Sequence, residues 1–388
     1  MTITRAMTTA CALLSLGACS SGSKATNSDA AGNNDTAAGD TSTGGLGFAP
    51  SNVDLTGLDL SKVDDLTVTG SNNFINGETG AFVFAQTTQF VYKTFTRADS
   101  TRLAMFVVKS LRLESGGSLA LDGALPVAIV ALNTIDIVGS FDVPLGRAGG
   151  MVQAAADMKG AGPGGGPGGS ETPPLFAGSG GSFCGIGGAG STASGGAANT
   201  KSTAYGMPTL VPLVGGSSGG TGAVGNNGAG GGALQLTAGT SVTVAQSGYI
   251  SAPGGGGSYG GLGTQEAGGG GSGGAILIEA PTVTIAGVLA ANGGGGGQGN
   301  GDAGQNGKAS ADPAVGGRGA FSGASSGGNG GAGATADGTD GMFTTGNPAG
   351  GGGGGVGRIR LNTRTGQAVV TGTLSPAATT ACVTQGMI

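Results

Sequence analysis

A template of short apolar alternations, recurring six times, restricts this chain more than any other feature. It reads apolar-x-apolar, a gap of four to seven residues, then apolar-x-apolar-x-Gly-x and usually a further apolar residue. The clearest copy uses Ile276, Ile278, Val283, Ile285, Gly287 and Leu289, and an equivalent copy uses Ala128, Val130, Ile135, Ile137, Gly139 and Phe141. A third has Leu111, Leu113, Leu119, Leu121, Gly123 and Leu125. Two with small insertions are Leu234, Leu236, Val242, Val244, Gly248, Ile250 and Ile359, Leu361, Ala368, Val370, Gly372, Leu374. The most degenerate has Leu58, Leu60, Leu66, Val68 and Gly70, with Asn72 in last place. Alternation with period two predicts short, half-buried strands whose other face carries Gln235, Thr243, Thr282, Thr284 and Asp136. The glycine marks a bend where a side chain would obstruct the turn. Strands this short cannot line an outer-membrane barrel, which takes about 9–11 residues per strand. One unit cannot bury its own apolar face, so the units are expected to stack. The predicted fold is all-β: a β-solenoid of the parallel β-helix kind, forming a single body over 46–388. An irregular β-sandwich with the same alternation is the alternative.

Three long segments interrupt the units, at 142–233, 251–275 and 290–358. Glycine is 92 of 388 residues, against a usual share of about 7%, and 73 of the glycines lie between Gly146 and Val356. The strict every-third spacing of collagen is absent. Unbroken runs at 254–257, 268–271, 293–297 and 350–355 each sit beside a strand unit. Gly/Ser-rich sequence is by default a flexible linker. Glycine helices of the polyproline-II kind offer a second reading. They have three residues per turn and no internal hydrogen bonds, and without Cβ atoms they can bond to one another. In composition the runs resemble glycine-rich regions of some phage tail adhesins and of one family of animal receptor kinases, where such bundles occur. The resemblance implies order, and both readings stay open from sequence.

The N-terminus reads as an address. Arg5 precedes an apolar stretch over 6–18, too short for the ~20 residues of a membrane span and suited to a signal-peptide core. Leu16-Gly17-Ala18-Cys19 resembles the lipobox of bacterial lipoproteins. The resemblance implies a signal peptide at 1–18, cleavage before Cys19, and acylation of that cysteine as a lipid anchor in the membrane. Ser20, rather than Asp, after the cysteine favours the outer membrane. Beyond the anchor, residues 19–45 are Ser, Gly, Ala, Thr, Asn and Asp with one lysine, Lys24, and no large apolar side chain, and read as a flexible tether. Lipobox, tether and strand units with polyglycine insertions together resemble glycine-rich lipoproteins predicted in soil-type Gram-negative bacteria.

Of four cysteines, Cys11 leaves with the signal and Cys19 takes lipid. Cys184 and Cys382 remain, and in an exported protein such a pair suggests a disulfide.

Several chemistries are excluded or unsupported. Histidine is absent, which removes Ser-His and Cys-His pairs and imidazole metal sites. Sixteen basic against 21 acidic residues argue against a nucleic-acid partner. The Gly-x-Ser-x-Gly matches at 216–220 and 323–327 have no base, and the phosphate-loop-like 304–309 lacks its leading glycine and final hydroxyl. Asp337 and Asp340 offer hard oxygen atoms for calcium, but too few for a six-to-eight-oxygen site. No metal or cofactor is therefore assigned. Carbohydrate-active β-helix proteins use clustered carboxylates, for which Asp122, Asp136 and Asp142 with Arg112 and Arg147 are the candidates. Phe82, Phe84, Phe90, Tyr92 and Phe95 are read as a hydrophobic cap on one open end. The expected function is a structural or adhesive scaffold facing the surface or the periplasm, without catalysis, with surface polysaccharide or protein as partner. A polysaccharide-binding or polysaccharide-cleaving β-helix is the alternative.

Overall fold

The structure is a computed structural model that describes residues 45–83, 88–97, 101–152, 154–155, 158–170, 173, 175–193, 198–222, 227–261, 266–319, 325–345 and 348–388. The expected signal peptide, Cys11, Cys19, the expected tether up to residue 44 and Phe84 lie outside them. No helix occurs among the described residues, and twenty strands form three sheets.

The first sheet holds β1 (Asp65–Val68), β6 (Ser110–Leu113), β9 (Thr134–Ile137), β12 (Ser241–Val244), β15 (Thr282–Ile285) and β18 (Val369–Val370), in that order. The second runs from β3 (Phe82–Val83) and β2 (Asn73–Asn76) through β7 (Ser118–Asp122), β10 (Ser140–Asp142), β13 (Tyr249–Ser251) and β16 (Val288–Ala290) to β19 (Thr373–Ser375). The third runs from β4 (Val91–Thr96) and β5 (Arg102–Val108) through β8 (Val127–Ala131), β11 (Ala233–Ala238), β14 (Ala275–Glu279) and β17 (Arg358–Thr363) to β20 (Val383–Met387). Every pairing is parallel except β2 with β3 and β4 with β5. Apart from that double detour, the chain visits first, second and third sheet in one unvarying cyclic order.

Register explains why the alternation recurs. In the third sheet Ile129, Leu236, Ile278 and Leu361 align, and in the first Ile135, Val242 and Val283 align. Phe141, Ile250, Leu289 and Leu374 align in the second. All three columns meet in one buried cluster. Each such side chain contributes about 1.5–3 kcal/mol on burial, so the stacked columns carry the apolar driving force.

Two sequence assignments need correction. In β8 the core-facing residues are Val127, Ile129 and Ala131, whereas Ala128 and Val130 face outward. Strands β5 and β8 of the third sheet are buried on both faces, so they read as nearly continuous apolar runs and alternation loses its phase there. The sheet's outer face is covered by Leu46, Phe48 and Leu55 on one side and Phe183, Leu210 and Leu213 on the other. The copy beginning at Leu111 is likewise one strand out of phase. Its corner glycine is Gly117, whose carbonyl accepts the Ser140 amide at 2.9 Å, and not Gly123. The same bond recurs from Tyr249 to Gly139, Val288 to Gly248 and Thr373 to Gly287, so the template glycines form a column of their own.

The long segments all leave from one corner. They run from β10 to β11, from β13 to β14 and from β16 to β17, always between the second and third sheets. Successive copies of that corner are neighbours along the stack, so the insertions are held side by side from their roots. At the opposite chain end β3 and β4 occupy the edges of the second and third sheets. The Phe82 ring lies 4.1 Å from Phe90 and 5.0 Å from Phe106, and Tyr92 lies 5.0 Å from Phe106. These rings cover the apolar cluster at that edge, and Lys93 sits over Phe95.

Candidate functional site

The glycine runs are mutually hydrogen-bonded, with a period of three. In the second insertion Gly268, Gly271 and Gly274 donate to the carbonyls of Ser258, Gly255 and Ala252 at 3.1, 2.8 and 2.8 Å. Their successors Gly269 and Ser272 donate to Gly220 and Ser217 of the first insertion. Gly270 and Gly273 donate to Gly352 and Gly355 of the third. One run thus bonds to three neighbours, one from each insertion, in a repeat of three residues. The third insertion repeats the arrangement. Gly293 and Gly296 bond to Gly331 and Gly328, while Gly294 and Gly297 bond to Gly271 and Gly268. These runs are buried, so their backbone polar groups need partners, and the neighbouring run supplies them.

Glycine is required here by close approach. Gly271 has no left-handed φ, and a Cβ built on it would overlap the Ala229 carbonyl. Serines replace glycine where the hydroxyl has work to do: Ser217 Oγ accepts the Gly164 amide at 3.0 Å, and Ser218 Oγ accepts the Ala161 amide at 2.7 Å. The Gly-x-Ser-x-Gly match at 216–220 is therefore part of a buried run.

Acidic side chains tie the runs further. Asp337 Oδ1 accepts the Ile186 amide at 2.7 Å, and Asp340 Oδ1 accepts the Ala189 amide at 2.8 Å. Both steps are three residues, which matches the period of the runs. Asp340 also pairs with Lys201 at 2.6 Å. The calcium candidates are thus engaged as backbone acceptors, and among the described residues no cluster of three or more acidic or cysteine side chains could hold a metal ion. Glu266, only 1% exposed, accepts the Ala349 amide at 2.5 Å through Oε2, while its Oε1 has no partner among the described residues. Burial pushes its carboxyl up to about 7, against a smaller downward pull from that amide.

The other candidates disperse. Asp122 lies on β7 and Asp136 on β9, in different sheets. Asp122 pairs with Arg147 at 3.3 Å and accepts from Asn76 at 3.0 Å. Arg112 stands opposite Asp136 in register but pairs with Glu114 at 2.7 Å. Asp142 accepts from the Tyr249 hydroxyl at 3.4 Å, and burial raises its pKa. Asp122, Asp136 and Asp142 do not form one carboxylate cluster. Cys184 and Cys382 do meet, with sulfurs 2.10 Å apart at bonding distance.

Sequence reasoning missed a buried polar column on the outer face of the third sheet. Glu279 accepts from the Ser51 amide and hydroxyl at 3.0 and 2.6 Å, from Gln235 at 2.9 Å, from Thr237 at 3.3 Å and from Asn362 at 2.9 Å. It fastens the segment carrying Ser51 to the sheet. Alignment of the units would have found it, because Thr237, Glu279 and Asn362 each follow the second apolar residue of a copy.

Comparisons with family models, curated proteins and solved structures found no match for this chain.

Proposed function

We propose that this chain is an exported lipoprotein of structural or adhesive type, whose strands wind as a parallel β-solenoid and whose insertions pack as a bundle of polyglycine-II helices. The solenoid reading is supported by the unvarying sheet order and the single core shared by three sheets. The helix reading is supported by the three-residue period of bonds between runs. That period is the observation that carries the function. Sequence that costs most to order would otherwise be a linker, and here it forms a stiff block held off a membrane by a tether. Such a block presents surfaces and spaces partners. It resembles the glycine-rich lipoproteins of Gram-negative outer membranes, anchored here through acyl groups on Cys19.

Cells grown with an alkynyl palmitate analogue test the anchor. The wild-type chain should carry the label and sediment with outer membranes, and Cys19→Ala should do neither. A Cys19→Ala chain that remained labelled and membrane-bound would overturn the lipoprotein assignment. Protease added to intact cells should then cleave the exposed loops of a surface-facing chain and spare a periplasmic one.

A further inference from the structure

We infer that the glycine bundle carries a saccharide-binding cleft between its second and third insertions, lined by Tyr259, Asn300, Asp302 and Arg318. The inference rests on the scaffold reading above, because these residues converge only if the two insertions are packed together. The cleft is a shallow one open to solvent, with a volume of about 440 Å³, within the range of about 300–1,000 Å³ typical of small-molecule sites.

Its walls are fixed by backbone bonds. Gly260 donates to the Gln298 carbonyl at 3.3 Å, Gln298 to Asp302 at 3.1 Å and Asp302 to Arg318 at 2.9 Å. The Gln298 side chain holds the Asn300 amide at 2.7 Å. Its side chains, in contrast, have no hydrogen-bond or ion-pair partner among the described residues. Three of the four tyrosines give their hydroxyls to this protein, Tyr92 to Gly77, Tyr205 to Gly215 and Tyr249 to Asp142. Tyr259 bonds to no described residue and is 54% exposed. Asp302 and Arg318 are exposed without an ion pair to each other or to any described residue, although Asp337 and Asp340 nearby in sequence are both engaged as acceptors.

The chemistry of that set selects a ligand. Ionised Asp302 only accepts, Arg318 only donates, and the Asn300 amide does both. A vicinal diol donates and accepts at once and so matches all three. The charges of Asp302 and Arg318 cancel, which favours a neutral ligand over an acidic or basic one. The Tyr259 ring adds an apolar face with a polar tip, suited to the C–H face of a pyranose. A neutral hexopyranose or pentopyranose unit of a polysaccharide is the class that fits.

The test uses the full chain in detergent, with cellohexaose, maltohexaose, mannohexaose and xylohexaose as probes in titration calorimetry. Amide exchange of the 293–297 glycines is followed on the same samples. The expected result is binding of at least one hexasaccharide, weakened about tenfold or more by Tyr259→Ala and by Asp302→Asn, with glycine protection unchanged. Protected glycines without binding of any probe overturn the cleft and leave the scaffold standing. Affinity retained in either variant also overturns the cleft. Unprotected glycines in the wild-type chain overturn both.

Discussion

Gly354 donates its amide to the carbonyl of Gly294 at 2.8 Å, joining the last run of the third insertion to its first. The contact is possible because neither residue has a side chain. A Cβ on Gly294 would overlap the Gly255 carbonyl, and one on Gly354 would overlap the Gly271 carbonyl. Gly294→Ala is therefore expected to destabilise the protein by about 1–3 kcal/mol, the usual cost of overpacking a close-packed interior. Urea unfolding reads this as a lower midpoint. An unchanged midpoint would mean that the runs do not touch.

Glu266 makes stability depend on pH. Its carboxyl is raised to about 7 in the folded protein from an ordinary 4.5, so the folded state binds the proton more tightly than the unfolded chain. The associated stability is fully present below about pH 4.5 and is lost as pH rises towards 7. Its upper bound is about 3 kcal/mol from the size of the shift. Glu266→Gln should flatten the dependence of the urea midpoint between pH 5 and 8 and raise the midpoint at pH 8. A variant that kept the wild-type slope would remove Glu266 as the source.

The Cys184–Cys382 pair joins the first insertion to the strand-end segment before β20, across 198 residues. Closing a loop of that size restricts the unfolded chain by on the order of 5 kcal/mol in the entropy model, with measured values often smaller. Mass spectrometry should show neither thiol alkylated without reductant and both alkylated after it. Cys382→Ser should lower the urea midpoint. Two freely alkylated thiols in unreduced protein would refute the bond.

Glu279 holds Ser51, Gln235, Thr237 and Asn362 together in a buried position. Glu279→Leu leaves the Ser51, Thr237 and Asn362 donors without this acceptor, while Gln235 keeps the Ser51 carbonyl, and each buried group so orphaned costs about 1–3 kcal/mol. The segment carrying Ser51 should then detach first. Limited proteolysis is expected to cut the variant within residues 46–60 under conditions that spare the wild type there.

The strand template was legible because the first sheet keeps its alternation: Leu66, Val68, Val242, Val244, Val283 and Ile285 all face the core as spaced. It failed at Ala128 and Val130 because β8 packs apolar residues on both of its faces, which erases the polar half of the pattern in that strand. Whether the insertions are ordered was not readable from sequence. Polyglycine has no side-chain pattern to show which run neighbours which, and that information lies in the shared corner between the second and third sheets. The disulfide partners followed from counting cysteines. Glu279 was hidden because a lone glutamate at the end of Ala-Ile-Leu-Ile-Glu looks like a solvent-facing strand end until the copies are aligned. The candidate carboxylates Asp122 and Asp136 do not cluster, because β7 and β9, which carry them, belong to different sheets in this topology.

The central claim is that the glycine runs are an ordered, mutually bonded block. Amide hydrogen exchange at the 293–297 glycines tests it most directly, since Gly293, Gly294, Gly295, Gly296 and Gly297 each donate to a neighbouring segment, to Gly331, Gly271, Gln305, Gly328 and Gly268. The account predicts exchange slowed by orders of magnitude relative to an unstructured glycine peptide, with protection comparable to that of the β14 amides. Exchange at random-coil rates, with β14 still protected, would contradict it.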